Sequence, residues 1–97
     1  MRTSDTNPST AGGAAALALQ ALAWTLGDAD RAQRLIDATG LFPDDLRRRV
    51  GEPAVLAAVL GFLENHEPDL LACADDLGVS PQTLVAARTA LDGGEPW

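Results

Sequence analysis

The residues with the most chemical capacity in this chain gather around one proline. Glu64, His66, Glu67 and Asp69 flank Pro68, and Cys73 follows one helical turn beyond Asp69. Imidazole, carboxylate and thiol are the donors of zinc sites and the partners of Cys–His nucleophilic pairs. The spacing completes neither chemistry. The chain holds one His and one Cys, so carboxylates would have to supply the other ligands, and the His-x-x-x-His or Cys-x-x-Cys spacing that makes a metal assignment specific is absent. His66 and Glu67 read instead as groups that satisfy free carbonyls and amides where one helix ends and the next begins. Cys73, among Ala and Leu, reads as a small buried hydrophobe with no basic neighbour in sequence to lower its pKa. A small thiol- or metal-dependent enzyme or sensor using His66 and Cys73 is therefore a minor alternative. No phosphate loop, nucleophile elbow or paired-carboxylate arrangement is present, and the expectation is no enzyme, no cofactor and no metal.

A second candidate is the stretch from Cys73 to Leu84, CADDLGVSPQTL. It resembles a helix-turn-helix: small Ala74 where two helices cross, Gly78 at a left-handed turn, aliphatic Val79, a capping Ser80, and Leu84 plugging the second helix into the first. Gln82 and Thr83 are the side chains that could read bases, and Arg88 is the lone cation nearby. DNA binding nevertheless fits poorly, because Glu67, Asp69, Asp75, Asp76 and Asp92 face that single arginine and leave a net charge of −4 from Glu67 to Asp92. Such a surface repels a duplex. Arg47, Arg48 and Arg49 form the one basic cluster. Consecutive helical residues fan over about 200°, so the three cannot converge on one ligand, and their place after two aspartates complements a helix dipole.

The elements that must carry these residues are organised around Ala54 to Leu63, AVLAAVLGFL, apolar at every position. A helix that is hydrophobic all round needs enclosure, and at about 1.5 Å per residue this one is about half the length that crosses a bilayer. Protein is the expected enclosure, giving an axial helix over about 53–64. Gly61 within it predicts a close approach of another helix's backbone, with Trp24 as the plausible neighbour. Before the axis, Ala15, Leu19, Leu22 and Leu26 form one stripe of a first helix from Ala14, with Leu17, Ala21 and Trp24 as a second. Gln20 lies one turn before Trp24, whose indole calls for a hydrogen-bond acceptor. Gly27 ends this helix in the manner of a C′ glycine, and Asp28 caps a second that stops at Gly40. Pro43 starts a short third helix. Pro68 opens a fifth that Gly78 closes, and Ser80-Pro81 opens a sixth that ends before Gly93-Gly94.

Composition bounds the rest. Ninety-seven residues make one domain with one core, and a chain rich in Ala and Leu but lacking Tyr favours helices over strands. The expected fold is all-α: a compact bundle of five to six short helices around the axial helix, with a helix-turn-helix-like C-terminal hairpin. Residues 13–92 form the domain, 1–12 a flexible tail and 93–97 a second tail. The net charge of −7 disfavours nucleic acid and anionic membranes as partners. One cysteine and no signal-peptide pattern point to the cytoplasm.

Ala18-Leu19-Gln20-Ala21-Leu22-Ala23-Trp24, Thr39-Gly40-Leu41 with Pro43 and Asp45-Leu46-Arg47, Ala57-Ala58-Val59-Leu60 with Phe62-Leu63, and His66-Glu67-Pro68 with Leu70-Leu71 together carry a resemblance. The chain is similar to a family of small bacterial proteins, mostly proteobacterial, classed as a domain of unknown function. The resemblance covers about Ala15 to Leu91 and implies an intracellular helical protein with no assigned activity, substrate or cofactor. The expected role is a non-enzymatic protein-interaction or regulatory module, with a helix-turn-helix DNA-binding regulator as the alternative. Its partner is expected to be a protein, either another copy or a different chain, with no small-molecule substrate evident. Candidate interaction residues are Gln20, Trp24, His66, Glu67, Gln82, Thr83 and Arg88, on the faces of the first helix and the C-terminal hairpin.

Overall fold

The computed structural model describes residues 11–93. Most of the tail expected over residues 1–12, and residues 94–97 of the second tail, lie outside them. Six helices follow in order: α1 (Ala11–Leu26), α2 (Ala29–Thr39), α3 (Pro43–Arg49), α4 (Pro53–Glu64), α5 (Glu67–Leu77) and α6 (Pro81–Leu91). No strand occurs among the described residues. Proline occupies the first or second position of α3, α4, α5 and α6, where its fixed φ suits the helix and its missing N–H costs nothing.

Three helix ends differ from the sequence expectation. α1 begins at Ala11, so Gly12 and Gly13 lie inside it rather than ahead of it. Gly27 follows α1 without a positive φ; its amide bonds the carbonyls of Ala23 and Trp24 at 3.1 and 3.2 Å in an ordinary last turn. Asp28 stands at the N-cap of α2, but its side chain makes no cap hydrogen bond and lies 3.5 Å from Arg31 instead.

The core is built on α4. Leu56, Leu60 and Leu63 enter one buried cluster with Leu17, Ala18 and Ala21 of α1, Leu70 and Cys73 of α5, and Leu84 and Ala87 of α6. Val55 and Val59 enter a second with Leu22 of α1, Leu35 of α2 and Leu46 of α3. Leucines on one side of α4 and valines on another thus join two clusters across a single helix. Facing surfaces of α1 and α6 are small, with Ala14, Ala18, Ala21 and Ala87 all fully buried, which lets the two helices approach closely.

The α5–α6 hairpin is set by its three-residue turn. Gly78 adopts φ 73, the left-handed conformation that only glycine takes without strain. The Val79 amide reaches back to the Ala74 carbonyl at 2.9 Å, and Ser80 Oγ accepts the Thr83 amide at 3.1 Å. Ala74 and Leu84 are buried where the helices meet.

Enclosure of α4 is incomplete, contrary to the sequence expectation. Ala54 is exposed and Ala58, Gly61 and Phe62 are half-buried, so one stripe of small residues opens to the surface. Gly61 has no helix backbone and no Trp24 beside it. A Cβ built there meets the Arg88 side chain at Cδ, 3.6 Å away, which is ordinary van der Waals contact. The glycine therefore costs helix propensity without serving a close approach. Gly61→Ala should stabilise the fold by about 0.5–1 kcal/mol, raising Tm by about 2–6 °C for a domain of this size. A lower Tm in calorimetry would show that Arg88 cannot give way.

Candidate interaction surface

The structure does not bring the sequence-derived candidates together. Trp24, half-buried at the end of α1, packs against the larger core cluster. Its indole N–H donates to Asp76 Oδ2 at 2.6 Å, and the Arg31 guanidinium lies 3.6 Å over its ring. Arg88 ties α6 to α4 through Glu64 and also holds Asp92 at 2.6 Å. Thr83 is engaged in the α6 cap, its hydroxyl 2.8 Å from that of Ser80. His66 and Glu67 stand exposed at the α4–α5 corner and Gln82 exposed at the start of α6. Gln20 is exposed on α1, and its amide has no hydrogen-bond partner among the described residues.

Around His66 the chemistry is that of a structural tie. His66 Nε2 lies 3.8 Å from Asp69 Oδ2, yet the same oxygen accepts from Arg34 Nη2 at 2.6 Å. Asp69 is 9% exposed, and a carboxylate so placed needs a paired cation to stay charged. Arg34 from α2 thereby fastens to α5, as Arg31 fastens to α1 through Trp24. Among the described residues no group of three or more His, Cys, Asp or Glu gathers in a way that could hold a metal ion. Cys73 is fully buried. Burial, reinforced by Asp76 and opposed by Arg31, pushes its thiol up to about 11, so at neutral pH it is neither thiolate nor accessible.

What stands out is α1. It carries no charged side chain over 16 residues, whereas each of the other five helices carries at least one. With successive residues about 100° apart, Ala16, Leu19, Gln20, Ala23 and Leu26 share one face about 120° wide. Leu19 is 42% and Leu26 38% exposed, and Gln20 and Ala23 are exposed between them. Along one edge of this face runs a hollow of about 210 Å³, walled by Leu19, Leu22, Leu26, Pro43, Leu46 and Val50. Phe42, next to Pro43 in the chain, is 61% exposed. Apolar surface gathered in this way marks a docking site more often than scattered single residues do.

Two other grooves flank the open stripe of α4. One, of about 540 Å³, lies among α2, α4 and the loop between α2 and α3, over Ala54, Ala58 and Gly61. Arg49 at its edge is held by Glu52 at 3.1 Å. The other, of about 380 Å³, lies between Arg34, Asp37, Phe62 and His66. Neither combines a nucleophile, a base and an orienting group.

The sequence showed two apolar stripes on the first helix but gave no means of telling which would be covered. Leu19 and Leu26 were consequently absent from the candidates. The signal for these two leucines was present in the charge pattern, as 16 uncharged residues in a chain of net charge −7.

These features define a small six-helix all-α domain with one uncharged, partly apolar helix face. The chain belongs to the family described as "Protein of unknown function (DUF3572)", whose profile matches residues 11–94. No curated protein and no solved structure matches it. No helix among the described residues is long and apolar enough to cross a membrane.

Cys73 gives an unusually clean test of this packing. The chain has neither Lys nor Tyr, and the α-amino group titrates lower, at about 8, so in the alkaline range the thiol titrates alone. Its folded pKa of about 11 stands above the usual thiol value of 9.0. The unfolded chain thus loses this proton first. Stability from the thiol is whole below about pH 9 and falls as pH rises toward 11, by at most about 1.4 kcal/mol per pH unit. Denaturant titrations across that range should show the decline in the native chain and a flat curve in Cys73→Ala. A flat curve in both would show that the thiol is solvated.

Proposed function

We propose that the protein is a non-enzymatic interaction module that docks another protein on the outward face of α1 and the adjoining edge of α3. The observation that carries this reading is the uncharged α1 face, with Leu19 and Leu26 exposed beside an apolar hollow. Amphipathic helices dock through residues spaced three, four and seven apart, and the exposed Leu19, Ala23 and Leu26 have that spacing. A cytoplasmic setting accords with a partner recognised by apolar contact.

The DNA-binding alternative draws its support from the α5–α6 turn alone. α6 is the helix that would enter a groove, yet Leu84, Ala87 and Leu91 bury it in the core. Its outward residues are Gln82, Ala86 and Thr89, and its arginine is taken by Glu64 and Asp92. Few groups remain to contact phosphates.

Affinity capture with the tagged chain in a lysate of its source cells tests the reading. The native chain should recover a defined protein, endogenous copies of the chain included. Leu26→Asp should lose it, while Gln82→Ala should retain it. Retention by Leu26→Asp, or loss by Gln82→Ala alone, would move the function away from α1.

A further inference from the structure

We propose that α3 is a lid: residues 41–50 swing open as a unit while the other five helices stay folded, uncovering an apolar cleft between α1, α2 and α4. Each of the other helices packs along two or more neighbours, whereas α3 lies along none. It enters the core through Leu46 alone, with Leu41 and Val50 half-buried at its flanks. Hollows border it on two sides. One of about 210 Å³ lies between it and α1, and one of about 540 Å³ lies between its last turn and α2 and α4. Side chains that face a void have no contacts there, so the grip on α3 is narrow.

Polar ties follow the same division. Trp24 on Asp76 joins α1 to α5, Arg34 on Asp69 joins α2 to α5, and Arg88 on Glu64 joins α6 to α4. Among the described residues α3 has no such tie. Asp44–Arg47 and Asp45–Arg48 close within it at 2.7 Å, Asp45 also accepts the Phe42 amide, and Arg49 turns to Glu52 at the foot of the segment. The pairs within α3 travel with it, so opening breaks neither of them. Gly40, at φ 73, and Gly51, where an added Cβ would meet nothing within 4 Å, are the turns on which the segment pivots. Opening uncovers Leu22, Leu35, Val55 and Val59, the rest of the cluster that Leu46 closes. The larger cluster, with Cys73, stays sealed. Exposing the smaller cluster alone takes less free energy than unfolding the domain.

Thiol labelling tests the proposal, because the two clusters supply two probes. Val55→Cys in a Cys73→Ala background places a thiol under α3, and the native Cys73 reports on the larger cluster. Labelled with iodoacetamide under native conditions, Val55→Cys should react through the small opening, at a rate that rises only weakly with denaturant. Cys73 should react through global unfolding, at a rate that rises steeply. Hydrogen exchange of the native chain decides the matter if Val55→Cys fails to fold. The amides of Leu46 to Arg49 should share one opening, with a denaturant slope above zero and below the global one, and be about tenfold or more less protected than those of Val59 to Leu63. Equal denaturant slopes for the two thiols overturn the proposal, as do α3 amides that open only with the whole fold. So do α3 amides that exchange one by one with no slope, since fraying leaves Val55 covered.

Discussion

The structure depends on the enclosure of α4. A helix with Val55, Leu56, Val59, Leu60 and Leu63 all buried cannot be covered by one neighbour, and burying each such side chain contributes about 1.5–3 kcal/mol. The leucine side calls for α1, α5 and α6, the valine side for α2 and α3, and the two clusters meet only through the helices that serve both. Five short helices, none of which would be stable alone, are ordered by what each contributes to covering this one.

Polar groups then fix how the outer helices sit. Apolar packing is tolerant of small rotations, whereas Arg34 on Asp69 and Trp24 on Asp76 have particular partners at hydrogen-bond distance. These ties join α2 and α1 to α5 across 35 and 52 residues of sequence. The first of them also engages Asp69, one of the carboxylates that the sequence gathers around Pro68. An aspartate committed to an arginine is not free as a base, and a thiol sealed among leucines is not a nucleophile.

Helix existence and order were legible because Pro and Gly punctuate the chain so regularly: Pro43, Pro53, Pro68 and Pro81 mark starts, and Gly40 and Gly78 take the left-handed φ that ends a helix. Gly12, Gly13 and Gly27 misled the same reasoning. Glycine permits a break without requiring one, and the packing of α1 carries the helix through the first two. Gly61 misled it differently, since a missing side chain reads as close approach only if something approaches. The Arg34 and Trp24 ties were illegible for a simpler reason: they join residues whose proximity arises only in the fold. The exposed side of α1 was half legible. Its uncharged run was plain, but whether Leu19 or Leu22 faces outward depends on where α3 settles.

That dependence links the core to the surface. α1 supplies Leu22 to one cluster and Leu17, Ala18 and Ala21 to the other, and the face it then turns to water carries Leu19, Leu26 and Ala23 beside Gln20, with no charge. That exposed apolar face is thus a consequence of how α4 is covered. Native-state hydrogen exchange tests this account most directly, because it ranks local against global opening residue by residue. The account predicts that amides of Val59 to Leu63 exchange only through global unfolding, with protection equal to the full stability of the protein. Exchange of those amides through smaller openings, while α1 and α6 remain protected, would contradict it.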